Sequence, residues 1–120
     1  MQRLALQWLA QLDDGVLAID QGWRVWVWNA RLAAITRRVL RPGSALNELA
    51  GFDQMHSSLR NWFEQTHRQQ TALRLEPTEA APLLEMLILK PPLPELETVL
   101  YPLVVGEDDL IGIQLRSVIR

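Results

Sequence analysis

The residues best suited to hold a ligand are aromatic side chains and histidines. The 120-residue chain contains five tryptophans, two histidines and no cysteine. Trp26 and Trp28 alternate with Val25 and Val27, so in a β-strand both indoles would point to one face. Aromatic rings that line a pocket can stack on a planar ligand. Large aromatic residues on a strand also serve a core or an interface, so both interpretations stay open.

A second set of candidates falls in residues 52–70, where apolar residues recur at helical spacing. This pattern predicts a long helix that lies across a sheet, with Ser57 and Ser58 as N-cap candidates. Both histidines, His56 and His67, lie in this segment. The candidate ligand-binding residues are Trp26, Trp28, Leu59, Trp62, Phe63 and His67.

Catalytic motifs are absent from the sequence. It has no glycine-rich phosphate loop, no His-Glu-x-x-His pattern and no serine in a nucleophile-elbow context. Asp13 with Asp14 and Asp108 with Asp109 form carboxylate pairs, but both pairs fall in predicted turns, where Asp caps backbone amides. The lack of cysteine excludes disulfides, thiolate metal ligands and cysteine nucleophiles. We therefore expect no catalytic residues and no metal site.

The composition predicts one small domain without a nucleic-acid partner. The hydrophobic fraction of 48% suits a single core at this length. A net charge of -2 and a pI of about 5.6 provide no basic footprint for nucleic acid. The first twelve residues contain Gln2, Arg3 and Gln7 among their leucines, unlike a signal peptide or a membrane span. We expect a cytoplasmic location and no membrane contact for this segment.

The most informative local pattern is strand, turn, strand, helix. Residues 13–20 and 25–29 read as two strands joined by the turn 21–24, and residues 30–38 place Leu32 and Ile35 on one helix face. Asn29 stands where the second strand becomes the helix.

The last third of the chain reads as strands at 83–90, 96–105 and 110–119, which brings the predicted total to five. Residues 91–95 and 106–109 are breakers and turns. Residues 72–75 fit either a short strand or a loop, and Pro77 and Pro82 bracket a predicted loop.

This order resembles a PAS domain, a sensory module that opens with Asp-Gly, three apolar residues and Asp, followed by Gly, an aromatic residue and Asn before a helix. Residues 13–20 (DDGVLAID), Gly22 and Trp28-Asn29 carry the resemblance, which extends over residues 42–49 (PGSALNEL) and the last strand. It implies an α+β fold: a five-stranded antiparallel sheet with helices packed on one face, spanning residues 13–120, and an N-terminal amphipathic helix over residues 1–12.

The resemblance also implies roles for single residues. Asn29 is expected to be a structural joint whose side chain bonds the backbone. Haem-binding PAS domains use a histidine of the long helix as axial ligand, but neither His56 nor His67 lies in a haem motif, so haem is not expected. Attachment of flavin or another chromophore through cysteine is excluded. We expect either no cofactor or a non-covalent small ligand.

Residues 1–12 carry an apolar helical stripe made of Leu4, Trp8 and Leu12. The stripe packs either on the domain's own sheet or on the same helix of a second copy. Many PAS domains dimerise through such a helix, so the resemblance predicts a homodimer with this stripe as its interface.

Two functions stay open. In the first, the chain is a sensory PAS module that binds a small ligand or partner and signals to an effector domain of the same protein, of the histidine kinase or diguanylate cyclase type. In the second, it is a cofactor-free module for protein interaction and dimerisation.

Many PAS domains end the last strand with Asp, then Ile or Val, then Thr, whereas this chain has Ser117, Val118 and Ile119 there.

Overall fold

A computed structural model describes residues 13–89 and 95–117. The strands are β1 Gly15–Asp20, β2 Val25–Trp28, β3 Leu73–Leu75, β4 Leu96–Val105 and β5 Asp108–Ser117. The α-helices are α1 Ala30–Thr36, α2 Phe52–Gln69 and α3 Pro77–Leu87, and a short 3-10 helix covers Leu46–Glu48. The predicted N-terminal helix over residues 1–12 lies outside the described residues.

The five strands form one antiparallel sheet in the order β2-β1-β5-β4-β3. β5 lies at the centre and pairs with β1 on one side and with β4 on the other. β4 and β5 form a long hairpin in which Leu96 pairs with Ser117 and Val105 with Asp108. The predicted five-stranded antiparallel sheet is therefore confirmed.

The helices pack on one face of this sheet and enclose the main core. Leu17, Ile19, Leu100, Ile113 and Leu115 point from the sheet into it and are fully buried. Leu59 of α2 and Leu83 and Leu87 of α3 belong to the same core and are also without exposure. Burying a side chain of this size contributes roughly 1.5–3 kcal/mol, so this layer supplies most of the hydrophobic stabilisation.

The opposite, outer face carries a second and smaller cluster. Val16, Ala18 and Val27 are buried there, and Trp26, Tyr101 and Leu103 pack against them. At the polar end of this face, Gln114 Nε2 donates to Asp14 Oδ2 at 2.6 Å, and Arg116 Nε lies 3.4 Å from the same oxygen.

The prediction that Trp26 and Trp28 share one face of β2 is wrong. The register of β1 with β2 shifts by one residue between Ala18 and Ile19, which is a β-bulge. An extra residue reverses the alternation of side chains. Trp28 consequently packs on the helix-side core, whereas Trp26 packs on the outer cluster.

The predicted strand over 83–90 and the predicted loop between Pro77 and Pro82 are also wrong, because this segment forms α3. Pro77 occupies the first helical turn, where its missing N–H costs nothing. Glu76 and Glu79 form a capping box that satisfies the first amides. The third strand is β3 at Leu73–Leu75, in the segment that fitted either a strand or a loop.

The long predicted helix is confirmed as α2, but its N-cap prediction is wrong. The N-cap is Gly51, which has a φ of 89°, and Ser57 and Ser58 lie inside the helix. A positive φ suits glycine because it has no Cβ.

Candidate functional site

A cleft of about 250 Å³ opens between the β1–β2 turn and one face of α2. Its lining residues are Gln21, Trp23, Arg60, Phe63 and Glu64. The turn supplies the first two residues, and two consecutive turns of α2 supply the other three. Aromatic walls are thus combined with one positive and one negative side chain.

Trp23 holds an unusual backbone conformation in the turn. Its φ of 63° lies in the left-handed region, which bulky residues rarely adopt. The conformation is fixed from both sides: the Trp23 N–H donates to the Asp20 carbonyl at 3.0 Å, and its carbonyl accepts from Leu46 N at 2.8 Å. Such a conformation costs on the order of 1–3 kcal/mol and persists only where surrounding contacts enforce it.

The Trp23 ring completes an aromatic cluster at the first turns of α2. Its centroid lies 5.4 Å from that of Phe52 and 5.5 Å from that of His56, both edge-to-face. This geometry is the favoured one for aromatic pairs. The turn and the start of α2 are therefore joined through ring contacts.

A second cluster borders the cleft further along α2. His67 stacks on Phe63 with ring centroids 4.8 Å apart. His67 Nε2 lies 2.6 Å from the Leu110 carbonyl oxygen, and because a carbonyl only accepts, Nε2 must carry the proton. This bond joins α2 to the start of the central strand β5. Coordination of iron through Nε2 would require breaking it.

Arg60 and Glu64 stand one helical turn apart, at a spacing that normally favours an ion pair. In the described part of the chain, neither side chain forms a hydrogen bond or an ion pair. Both are exposed. The two opposite charges are thus available to a molecule in the cleft.

The predicted ligand-binding residues do not all lie on one side of the sheet. Leu59, Trp62 and Phe63 are buried in the helix-side core, where Trp28 also packs. Trp28 Nε1 donates to the Arg38 carbonyl at 2.8 Å, and Trp26 Nε1 donates to Asp20 Oδ2 at 2.9 Å on the outer side. Of the predicted set, Phe63 alone lines the cleft, and His67 stacks behind it.

Gln21, Trp23, Arg60 and Glu64 were missed as site residues. The spacing of Arg60 and Glu64 is common on any exposed helix, so it carries little signal by itself. Trp23 offered the better signal, because turns favour Gly, Asn, Asp and Pro, and an indole there has no local role.

Asn29 joins β2 to α1 through its side chain. Its Oδ1 accepts from Leu32 N at 2.8 Å, which caps α1, and from Val16 N at 3.0 Å. Its Nδ2 donates to the Asp14 carbonyl at 2.8 Å. The buried amide therefore ties the helix start to β1 and has a structural explanation without any ligand.

Asp20 is a further acidic residue, next to the cleft residue Gln21, and its carboxylate is already engaged in hydrogen bonds. Its carboxylate accepts from the N–H groups of Gly22 and Arg24 and from Trp26 Nε1.

Across residues 13–89 and 95–117, no group of three or more His, Asp or Glu side chains is arranged to hold a metal ion. Nor does any helix in these ranges have the length and apolar character needed to cross a membrane.

Neither a protein-family model nor a curated protein sequence matches the chain. Solved structures do. A PAS domain from a two-component sensor histidine kinase has a TM-score of 0.53 at 11% identity, with 95% of this chain and 93% of that chain covered.

Two proteins of Vibrio give similar values. The PAS domain of nitrogen regulation protein NR(II) from Vibrio parahaemolyticus has a TM-score of 0.53 at 13% identity, covering 96% of this chain and 98% of that one. A sensory box sensor histidine kinase from Vibrio cholerae has a TM-score of 0.54 at 12% identity, covering 99% and 93%. Together with the strand order, these structures show that the chain has the PAS fold.

Proposed function

We propose that the chain is a sensory or regulatory module that binds a small ligand or partner and relays a conformational change to an effector domain. The observation that carries the proposal is the His67–Leu110 hydrogen bond, which connects the helix that lines the cleft with the central strand of the sheet. The PAS fold supports it, because the solved neighbours are described as parts of sensor proteins.

The relay follows from the order of contacts. A molecule in the cleft touches α2 at Arg60 and Glu64, and the same helix reaches β5 three residues later through His67. β5 in turn pairs with β1 and β4, so a shift of α2 can displace strands in both halves of the sheet. A ligand can shift such an equilibrium by no more than its difference in affinity between the two states.

The effector, the assembly and the location belong to this proposal. The neighbours come from sensor histidine kinases in two of the three cases, which favours a kinase over a diguanylate cyclase as effector. We further propose a cytoplasmic homodimer, with Leu4, Trp8 and Leu12 as interface residues. The domain itself is proposed to lack catalytic activity and to use no covalent cofactor.

The alternative function, a cofactor-free interaction and dimerisation module, is favoured by the packing of the helix-side core. α3 contributes Leu83 and Leu87, fully buried beside Leu59 of α2 and Leu100 of β4. This packing of leucines supports an interaction module, whereas the cleft between the β1–β2 turn and α2 supports a sensor.

An absorbance scan and a native mass spectrum of one preparation of the purified chain separate the two functions. A retained small-molecule mass, or a visible chromophore, is expected for the sensor. A colourless dimer that retains nothing and responds to no added small molecule would favour the interaction module. A colourless monomer with the same lack of response would contradict both functions.

A further inference from the structure

We infer that the cleft between the β1–β2 turn and α2 binds a free α-amino acid with an apolar or aromatic side chain. The inference rests on the proposed sensory function and assigns the class of its ligand. It begins from the two charges of the cleft, Arg60 and Glu64, which lie on one side of it without partners in the described residues.

The opposite charges of Arg60 and Glu64 favour a zwitterionic ligand. A guanidinium binds a carboxylate through two parallel N–H···O bonds, and a carboxylate accepts from an ammonium group. A phosphate or dicarboxylate would place its charge beside Glu64, and a cation alone would lie beside Arg60. A molecule that carries one ammonium and one carboxylate on neighbouring atoms satisfies both side chains at once.

The walls select the side chain. Trp23, which is half-buried, supplies most of the aromatic surface of the cleft, and Phe63 lines it from the buried core. Trp23 is held in place by Phe52 and His56, and Phe63 by His67. The indole of Trp23 offers an apolar surface to a ligand side chain and a π face to an ammonium group. The volume of about 250 Å³ lies below that of typical drug-sized sites and suits a metabolite of amino-acid size.

The backbone of Trp23 adds an independent observation. A tryptophan at a φ of 63° is strained where glycine would not be, yet the turn keeps the indole at the mouth of the cleft. Backbone strain of this kind concentrates at binding and switch regions.

The test is an NMR titration of the ¹⁵N-labelled 120-residue chain with L-phenylalanine, 3-phenylpropanoate and phenethylamine. The first compound has both charges, the second lacks the ammonium and the third lacks the carboxylate. Saturable shifts of the amides of residues 60–64 are expected with L-phenylalanine, and each analogue is expected to bind at least tenfold more weakly.

Two exposed variants sharpen the test, because neither side chain contributes to the core. Arg60→Gln and Glu64→Gln are each expected to weaken L-phenylalanine binding at least tenfold, whereas the control Arg68→Gln, on the same helix but outside the cleft, is expected to leave it within twofold. Arg60→Gln should also bind phenethylamine as strongly as the wild type does, since that compound has no carboxylate.

Absence of saturable shifts at millimolar L-phenylalanine, or unchanged binding in both cleft variants, would overturn the assignment. The same chain examined by native mass spectrometry keeps the two proposals apart. A different retained molecule would overturn the amino-acid assignment and leave the sensory function standing.

Discussion

The two faces of the sheet are built on different principles. The helix-covered face is formed by large aliphatic residues such as Leu17, Leu100 and Ile113, all fully buried. The outer face combines small residues, Ala18 and Gly112, with aromatic side chains that carry polar groups, Trp26 and Tyr101. Stability therefore comes mainly from the first face, whereas substitutions on the second act through close packing and hydrogen bonding.

Truncating two leucines of one strand tests the difference between the faces most directly. Leu100 of β4 points into the helix-side core without exposure, and Leu103 is half-buried on the outer face. We expect Leu100→Ala to lower the free energy of unfolding by about 4 kcal/mol, and Leu103→Ala by about 1 kcal/mol. Urea unfolding measures both, and equal losses would contradict the distinction between the faces.

The joint between strand and helix gives the next largest effect. Asn29→Ala removes the acceptor of the Val16 and Leu32 amides, which lie in buried surroundings, and is expected to cost about 3 kcal/mol. Asn29→Asp keeps the acceptors but loses the donor to Asp14, so an intermediate loss is expected. The control Asn61→Ala, exposed on α2, should stay within about 0.5 kcal/mol. Similar stabilities of all three variants in thermal unfolding would argue against a structural role for Asn29.

Gly112 tests the close packing of the outer face. A Cβ at this position would clash with Cε2 of Tyr101, so the ring would have to move. We expect Gly112→Ala to destabilise the fold by about 2 kcal/mol, and to cost little in a Tyr101→Ala background. A double-mutant cycle by urea unfolding gives the coupling, and an additive result would contradict the close contact.

Tyr101 gives the smallest effect at neutral pH and a distinct one in alkali. Its hydroxyl is buried and has no hydrogen-bond partner among residues 13–89 and 95–117, so Tyr101→Phe should change stability by less than about 1 kcal/mol, in the stabilising direction. Burial raises the pKa of Tyr101 from 10.0 to about 12. The folded state holds this proton more tightly than the unfolded state does. The stability that this difference contributes to the fold is therefore fully present below pH 10 and is lost as the pH rises from 10 to about 12.

The alkaline effect is easily isolated because the chain has one tyrosine. Phenolate absorbance gives the pKa, and unfolding between pH 9 and 12 should show a fall in the wild type that is reduced in Tyr101→Phe. A midpoint near 10 in the folded wild type would contradict burial of the Tyr101 hydroxyl.

Much of the fold follows from local sequence patterns. The hairpin of β1 and β2, the joint at Asn29, the long helix and β4 were all predictable because their signals lie within a few neighbouring residues. α3 was missed because residues 83–89 are apolar apart from Glu85, a pattern that fits a buried strand as well as a buried helix. Its decisive signal was the capping box of Glu76 and Glu79.

The cleft was less predictable for physical reasons. The β-bulge that separates Trp26 from Trp28 depends on the pairing register with β1, which no alternation within β2 reveals. Arg60 and Glu64 resemble ordinary surface residues until the turn that carries Trp23 is placed opposite them. Contacts between distant segments thus define the site, whereas local patterns define the elements.

Binding at the cleft is expected to reach the centre of the sheet through His67. We would measure amide chemical shifts along α2 and β5 during titration with L-phenylalanine, in the wild type and in His67→Phe, which keeps a ring beside Phe63 but has no donor for the Leu110 carbonyl. Saturable shifts are expected at the cleft in both proteins and at residues 110–113 mainly in the wild type. Shifts confined to the cleft, or equal shifts of β5 in the two proteins, would contradict it.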